Sequence, residues 1–258
     1  MTVVFNKYQG AGNDFVIIDN RNNSFNPDDS ILINKLCDRR FGVGADGLIL
    51  ICTSPQYDFE MKYFNSDGFI GSMCGNGGRC SADFAIKSGI AGKKLSFKAA
   101  DGLHKAIAEN GIIRLQMNDP KEPLLVNGSY FINTGSPHYV IFRKSIDDID
   151  VNTEGKKFRW AADFAPGGTN VNFVEIQKEG IYVRTFERGV EEETLSCGTG
   201  VTASAIASVI SGQLNTKTVK VKTKGGNLSV SFNIAGKNIS DIWLSGPATF
   251  VFAGEIEI

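Results

Sequence analysis

Short runs in which apolar and polar residues alternate cover much of the chain, and each predicts a strand that buries one face. Helical spacing of apolar residues is confined to three segments, residues 29–36, 79–87 and 201–210. The second and third of these segments carry small apolar residues on most sides, which predicts helices enclosed in a core. The strand-like runs are residues 59–65, 95–100, 112–117, 130–133, 181–186, 219–223, 228–232 and 249–257.

The chain repeats itself over a long stretch. It contains MKYFNSDGFIGSMCGNGGRCSADFAIKSG around Cys74 and VRTFERGVEEETLSCGTGVTASAIASVISG around Cys197. Both pass from an alternating run through a polar loop to a Cys-Gly-x-Gly turn and a helical segment. The match extends to a predicted hairpin downstream, at 101–102 and 225–226, and to upstream runs, NDFVIID at 13–19 and VNFVEIQ at 171–177. Two unrelated runs with similar turns are the alternative, but so many features in one order predict two copies of one unit.

These patterns predict a mixed α+β fold of two pseudo-symmetric halves. Each half is expected to be an antiparallel sheet or barrel wrapped around one central helix. We place the first half at residues 1–118, completed by a returning strand at 248–258, and the second half at 119–247. The boundary falls near 118–123, where MNDPKEP carries two prolines and a cluster of charges.

The composition is that of an ordinary globular protein. The 258 residues carry a formal net charge of −1, with 42% hydrophobic and 21% charged residues. This balance offers no electrostatic attraction for nucleic acid or an anionic membrane. No apolar run approaches the roughly 20 residues that span a bilayer, and the N-terminus lacks the pattern of a signal peptide. We therefore expect a cytoplasmic protein that binds neither nucleic acid nor a membrane.

Two of the five cysteines occupy equivalent places in the repeat. Cys74 and Cys197 each precede a predicted helix, whose N-terminus favours a thiolate and can also hold a carboxylate. One such thiol on each face of a carbon atom could act as base and acid. The other cysteines have no counterpart and are expected to pack in the core, and no spacing fits a metal site. They are Cys37, Cys52 and Cys80.

The chain resembles the diaminopimelate epimerase family over essentially its whole length. The resemblance implies interconversion of L,L- and meso-diaminopimelate, with Cys74 and Cys197 as catalytic residues and no pyridoxal phosphate, metal or other cofactor. It further implies a role in lysine and peptidoglycan precursor synthesis, and often a homodimer. The motifs that carry it are GAGNDFV (10–16), RFGVGADGL (40–48), FNSDG (64–68), MCGNGGRC (73–80), GSPHYV (135–140), TNVNFV (169–174), RTFERG (184–189), SCGTG (196–200) and GPATFVFAGE (246–255).

The same resemblance implies a set of residues that bind a substrate charged at both ends. His138 and Glu187 would support catalysis beside the cysteines. Each residue also has an ordinary explanation, such as a core histidine for His138 or a surface ion pair for Glu187 and Arg188. Ser136, Gly47 and one extra residue before Cys197 depart from the usual pattern and concern contacts to the distal end of the substrate. The implied binding residues are Asn13, Asn65, Gly75, Asn76, Asn170, Glu187, Arg188, Gly198 and Thr199.

Three other functions remain open from the residues alone. A racemase for proline or hydroxyproline would share the overall plan, but such enzymes typically carry His after the first Cys-Gly, where this chain has Asn76. A related isomerase of the same fold would lack the cysteine pair. A non-catalytic thiol switch would use Cys74 and Cys197 only to form a disulfide.

Overall fold

The computed structural model describes residues 2–258 as a strand-rich fold with four α-helices. The helices are α1 (Ser30–Cys37), α2 (Gly75–Lys87), α3 (Val151–Arg159) and α4 (Gly198–Ile210), with a 3₁₀ turn at Ala162–Phe164. The strands are β1 (Thr2–Gly10), β2 (Asn13–Asp19), β3 (Gly47–Cys52), β4 (Phe59–Asn65), β5 (Lys94–Ala99), β6 (Gly102–Glu109), β7 (Ile112–Gln116), β8 (Leu124–Val126), β9 (Ser129–Asn133), β10 (Pro137–Phe142), β11 (Asn170–Gln177), β12 (Gly180–Glu187), β13 (Glu192–Thr194), β14 (Thr218–Thr223), β15 (Gly226–Ala235), β16 (Asn238–Gly246) and β17 (Thr249–Glu257).

The chain divides into two compact units. One is Met1–Leu115 with Gly246–Ile258, and the other is Gln116–Ser245. In the first unit β17 returns to run antiparallel to β1, so the two ends of the chain share one sheet. The mixed α/β fold class predicted from the sequence is confirmed.

The sheet of the first unit is mixed, whereas the repeat predicted purely antiparallel pairing. β2 is parallel to β3, with α1 in the connection between them. β4 is parallel to β5, with α2 in that connection. A helix between two strands carries the chain back to the edge where it started, so the next strand runs in the same direction. Apart from the pair of β1 and β17, hairpins supply the antiparallel pairs of this unit, including the predicted one at β5 and β6.

The second unit repeats this order of elements. β10 is parallel to β11 across α3, and β12 is parallel to β14 across a connection that contains β13 and α4. The counterpart of β2 is therefore β10, and the counterpart of β3 is β11. The upstream match of residues 13–19 with 171–177 was wrong, because two buried strands with similar local sequence occupy different places in the topology.

The helices that follow the two cysteines are enclosed, as the sequence predicted. Most of α2 and nearly all of α4 are buried. Both begin earlier than predicted, at Gly75 and Gly198, because the Gly-rich turns themselves form the first helical turn. The helix α3 was not predicted, since it is mostly polar and buries only Val151, Gly155 and Arg159. None of the helices within residues 2–258 is long and apolar enough to cross a membrane.

Candidate functional site

Cys74 and Cys197 are the N-cap residues of the two buried helices. Both have extended backbone angles, φ −106° and ψ 117° for Cys74 and φ −115° and ψ 112° for Cys197. The first N–H groups of a helix have no partner within the helix, and its dipole is positive at that end. Each sulfur therefore lies where a negative charge is stabilised. Cys74 is half-buried and Cys197 is buried.

The sulfur of Cys74 has partners that suit both of its protonation states. The backbone N–H of Gly77 points to the sulfur at 3.5 Å, which favours the thiolate. The thiol can donate to Oδ1 of Asn13, 3.4 Å away. Asn13 donates its amide nitrogen to Oδ2 of Asp46 at 2.6 Å, so its oxygen is left to face Cys74. Such a residue can both release and accept a proton.

Asn13 is held by a cluster of charged residues at the start of β2. Arg39 bridges Asp14 and Asp46, with both N···O distances 2.7 Å, and Lys7 is 2.6 Å from Asp14. Burial opposes ionisation of Asp14, but hydrogen bonds from Arg39 and Lys7 lower its pKa to about 2. Asp14 is therefore ionised near neutral pH, and Arg39 links it to the Asp46 carboxylate on which Asn13 depends.

Arg79 supports the first turn of α2 from inside the core. Its side chain is fully buried and donates to the carbonyl of Gly75 at 3.3 Å and to Oδ1 of Asn76 at 3.0 Å. A third bond goes to the carbonyl of Pro247 at 3.4 Å. Because Arg79 occupies the oxygen of Asn76, the amide nitrogen of Asn76 is turned toward Oδ1 of Asn13, 3.5 Å away.

A chain of hydrogen bonds leads to Cys197 in the second unit. The sulfur is 3.4 Å from the hydroxyl of Thr199, which is 2.8 Å from Nε2 of His138. Nδ1 of His138 is 3.1 Å from the amide nitrogen of Asn172, whose oxygen accepts from Thr185 at 2.9 Å. Burial, reinforced by the charge of Arg188, lowers the pKa of His138 to about 3. The imidazole is therefore neutral near pH 7.

Asn170, the first residue of β11, is hydrogen-bonded to the start of β10 and to the residue that follows β12. Its amide nitrogen donates to Oγ of Ser136 at 2.9 Å and to the carbonyl of Pro137 at 2.8 Å. Its oxygen accepts from the backbone N–H of Arg188 at 2.8 Å. Glu187, the neighbour of Arg188, accepts from the hydroxyl of Thr194 at 2.8 Å. The structure thus brings Asn170 and Arg188 together, with Ser136 as a hydrogen-bond partner.

The remaining expected site residues lie at the ends of secondary-structure elements. Asn65 ends β4 with an exposed side chain. Gly75 and Asn76 begin α2, and Gly198 and Thr199 begin α4, so their amides belong to the two helix N-termini. Within residues 2–258, no group of three or more His, Cys, Asp or Glu side chains could hold a metal ion.

The three cysteines expected to be structural are buried in the first unit. Burial raises the pKa of Cys37 to about 12 and raises the pKa of Cys52 and Cys80 as well. A neutral buried thiol is a small hydrophobic group with little reactivity. The prediction that these cysteines pack in the core is confirmed.

Sequence reasoning missed Asn172, Thr185 and Arg79. A signal for Asn172 was present, because residues two apart in a strand point to the same face. Asn172 therefore faces the same side of β11 as Asn170, and it is fully buried. No comparable local signal marks Thr185, whose partner lies on another strand, or Arg79, which also reaches the carbonyl of Pro247.

Gly200→Ala is expected to disrupt the hydrogen-bond chain that leads to Cys197. A Cβ at Gly200 would lie 2.4 Å from Oδ1 of Asn172 and 3.2 Å from Cε1 of His138. We expect this overpacking to destabilise the protein by about 1–3 kcal/mol, despite the better helix propensity of alanine. Urea unfolding measures the change. In the control Gly92→Ala, no atom lies within 4 Å of the new Cβ, and we expect a change within about 0.5 kcal/mol. Equal stabilities of the two variants would contradict the packing described here.

The turns around both cysteines belong to a match that extends over most of the chain. Residues 5–121 and 130–251 match the family model described as diaminopimelate epimerase. The chain belongs to the diaminopimelate epimerase family. A diaminopimelate epimerase of Flavobacterium psychrophilum is 50% identical over 248 residues, which cover 95% of this chain and 97% of that protein. One of Chlorobaculum tepidum is 44% identical over 259 residues, with 96% and 99% covered. The resemblance drawn from the motifs is confirmed, and with it the enzyme class, an epimerase.

Solved structures of low sequence identity share the fold of this member of the diaminopimelate epimerase family. A phenazine biosynthesis protein of the PhzF family from Bacillus anthracis has a TM-score of 0.79 at 15% identity, with 100% of each chain covered. A hydroxyproline epimerase from Agrobacterium vitis has a TM-score of 0.75 at 11% identity, with 99% of this chain and 92% of that chain covered. At such identities the likeness concerns the fold alone.

Proposed function

We propose that this chain interconverts L,L- and meso-diaminopimelate without a cofactor, using Cys74 and Cys197 as a thiolate and thiol pair. One observation carries the proposal beyond the family assignment. The two cysteines are N-cap residues of the buried helices of two units with the same order of elements. A repeated unit that presents one thiol in each copy suits a reaction that needs a base on one face of a carbon and an acid on the other.

The reaction begins when one thiolate removes the proton from the α-carbon of one end of the substrate. The other thiol then delivers its proton to the opposite face, which inverts the centre. At the end the first residue is a thiol and the second a thiolate, so the roles are exchanged for the reverse direction. No redox change or bound group is required.

The α-proton of an amino acid is a very weak acid, so the developing negative charge must be stabilised. We assign the carboxylate next to the reacting carbon to the backbone amides at the two helix N-termini. N–H groups aimed at the place where charge develops are the largest source of stabilisation in reactions of this kind. Closure of the protein over the substrate would exclude water and strengthen these bonds. The amides are those of Gly75, Asn76, Gly198 and Thr199.

The substrate carries a carboxylate and an ammonium group at each end, and the proposed binding residues offer partners for both charges. Glu187 would accept from an ammonium group, and Arg188 would donate to a carboxylate. Asn13, Asn65 and Asn170 can donate and accept. His138 is held neutral by its burial, so we propose that it supports catalysis through hydrogen bonds to Thr199 and Cys197 rather than through charge.

Two specific features favour diaminopimelate over proline or hydroxyproline as the substrate. Full-length relatives with substantial identity are named diaminopimelate epimerases, whereas the hydroxyproline epimerase is similar in fold alone. Asn76 follows the first Cys-Gly, where the proline-type enzymes typically carry His. Asn76 is also held in place by Arg79.

Substrate range on the purified protein tests the proposed function. The chain is incubated under reducing conditions in deuterated water with L,L-diaminopimelate, L-proline or trans-4-hydroxy-L-proline, and α-proton exchange is followed by NMR. We expect exchange with inversion for diaminopimelate alone. Exchange only with the cyclic amino acids would assign the chain to a different racemase activity, and no exchange with any substrate would favour a thiol switch.

A homodimer and a cytoplasmic location complete the proposal. Three consecutive apolar residues of β17 are about half exposed, at 43%, 51% and 45% for Phe250, Val251 and Phe252. A second copy could cover these exposed apolar side chains. Two thiols that must remain reduced suit the cytoplasm. The product would supply lysine and peptidoglycan precursor synthesis.

A further inference from the structure

The orientation of the Asn172 amide is fixed by its surroundings. Its nitrogen lies 3.4 Å from the backbone carbonyl of Tyr139, which can only accept a hydrogen bond. Its oxygen accepts from the hydroxyl of Thr185 at 2.9 Å. Turning the amide over would place oxygen against oxygen at Tyr139. Asn172 is fully buried, so no water can relieve such a contact at low free-energy cost.

This amide determines which nitrogen of His138 carries the proton. The nitrogen of Asn172 donates to Nδ1 of His138 at 3.1 Å, so Nδ1 must be the unprotonated acceptor. In the neutral ring the proton is then on Nε2, which lies 2.8 Å from Oγ1 of Thr199. The oxygen of Thr199 accepts the hydrogen bond from Nε2–H. The hydroxyl hydrogen of Thr199 can therefore be donated to the sulfur of Cys197, 3.4 Å away.

The environment of Cys74 differs in that an acceptor faces its sulfur in addition to a donor. Asn13 turns its oxygen toward the sulfur of Cys74, because its nitrogen is engaged by Asp46. A hydroxyl donor thus faces Cys197, whereas Cys74 is faced by the amide acceptor of Asn13 at 3.4 Å as well as by the N–H of Gly77 at 3.5 Å. Donors stabilise a thiolate, whereas acceptors stabilise a thiol.

We propose that Asn172 is a positioning residue that locks His138 in the Nε2–H tautomer, so that Thr199 donates to Cys197 and Cys197 is the base of the resting enzyme. Cys74 then holds the proton at the start of the first turnover. This assignment rests on the proposed two-base function, but the tautomer and the state of the thiol are measured without substrate. Failure of this proposal is therefore distinguishable from failure of the function.

The tautomer is measured directly by nitrogen NMR on protein labelled with [¹⁵N]histidine. The chain has only two histidines, His138 and His104, so two pairs of ring signals are expected. Between pH 6 and 8 (about the range in which an ordinary histidine titrates), His138 should show a protonated Nε2 and an unprotonated Nδ1. A protonated Nδ1 in the unmodified protein would overturn the proposal.

The link from Asn172 to Cys197 is measured by the pH dependence of alkylation at each cysteine, read by peptide mass spectrometry. Asn172→Leu removes the donor to Nδ1, and Thr199→Val removes the donor to the sulfur. Each variant is expected to raise the pH midpoint for alkylation of Cys197 by about one unit. Below the midpoint, this shift corresponds to an alkylation rate that is about 10-fold slower. The midpoint for Cys74 and the signals of His104 serve as internal controls and should not change.

A double-mutant cycle separates positioning from a merely structural role. If Asn172 acts through Thr199, Asn172→Leu should have no further effect on the Cys197 midpoint once Thr199→Val is present. Additive shifts, or no shift in either single variant, would contradict the proposal. If Asn172→Leu does not fold, the proposal is tested by the His138 tautomer in the unmodified protein and by the pH midpoint for alkylation of Cys197 in Thr199→Val.

Discussion

Replacing either Cys74 or Cys197 by alanine should lower the turnover of diaminopimelate by about 10³-fold or more, because a positioned acid or base accelerates proton transfer by about 10²–10⁴-fold. In the proposed reaction each thiol serves one face of the reacting carbon, so the remaining thiol could not complete the inversion. Steady-state turnover of the two purified variants in both directions measures the effect. The loss should be seen in both directions, since each cysteine is needed as base in one and as acid in the other.

Cys52→Ala provides the matched control. Cys52 is a buried cysteine of the first unit that lies in β3, outside the Gly-rich turns. This variant should keep its turnover number, although it loses some stability through the small cavity that it creates. Full turnover by either the Cys74 or the Cys197 variant would refute a two-base reaction.

Arg184→Met is expected to have the largest effect on stability, a loss of about 3–5 kcal/mol, because it removes a nearly buried cation from three backbone carbonyls and from the Glu193 carboxylate, to which Lys224 remains bound. Arg184 is 7% exposed and binds both oxygens of Glu193, at 2.7 and 2.9 Å. It also donates to the carbonyls of Ile146, Asp147 and Ile149. Equilibrium unfolding in urea measures the change.

An exposed ion pair provides the control for Arg184. Arg21 also pairs with a carboxylate, that of Asp19, but the two side chains are 42% and 36% exposed. Arg21→Ala should change the free energy of unfolding by about 1 kcal/mol or less. If Arg21→Ala and Arg184→Met lost similar amounts of free energy of unfolding, burial would not determine how much these ion pairs contribute to stability.

The stability difference between Arg184→Met and the unmodified protein should also depend on pH. Burial alone would raise the pKa of Glu193, but hydrogen bonds from Arg184 and Lys224 lower it below the ordinary value. A carboxyl group with a lowered pKa contributes stability above its unfolded pKa and loses that contribution as the pH falls through the folded pKa. The difference in free energy of unfolding between Arg184→Met and the unmodified protein should therefore become smaller as the pH is lowered into the acid range.

The sequence was sufficient to locate the repeat, the fold class and the two cysteine turns because these signals are local. The alternation that predicts β4 and the small apolar residues of α2 and α4 lie within single short segments. The pairing of strands is not local. The parallel pairs β2–β3 and β10–β11 depend on the path of the chain between the two strands. Comparison of local sequence alone therefore matched β2 with β11, which occupy different places in the two copies of the repeat. The helix α3 was missed because it buries so few residues.

The sequence identified the residues expected to touch the substrate, but not the residues that hold them. Cys74, Asn13 and Asn76 lie together in the first unit, as do His138, Thr199 and Cys197 in the second. Their supports include contacts between distant parts of the chain. Arg79 reaches Pro247, 168 residues away, and Thr185 reaches Asn172 from the next strand. Such contacts depend on the folded structure, and no pattern within one segment predicts them.

The most direct test of two thiols acting on one carbon is the position of deuterium early in the reaction. L,L-diaminopimelate is converted in deuterated water, and both isomers are recovered at low conversion and examined by mass spectrometry. Two separate groups should give a product that carries deuterium at the inverted carbon, while the remaining substrate keeps its original hydrogen. Product that retains the hydrogen of the substrate, or deuterium entering both isomers equally from the start, would contradict the paired roles of Cys74 and Cys197.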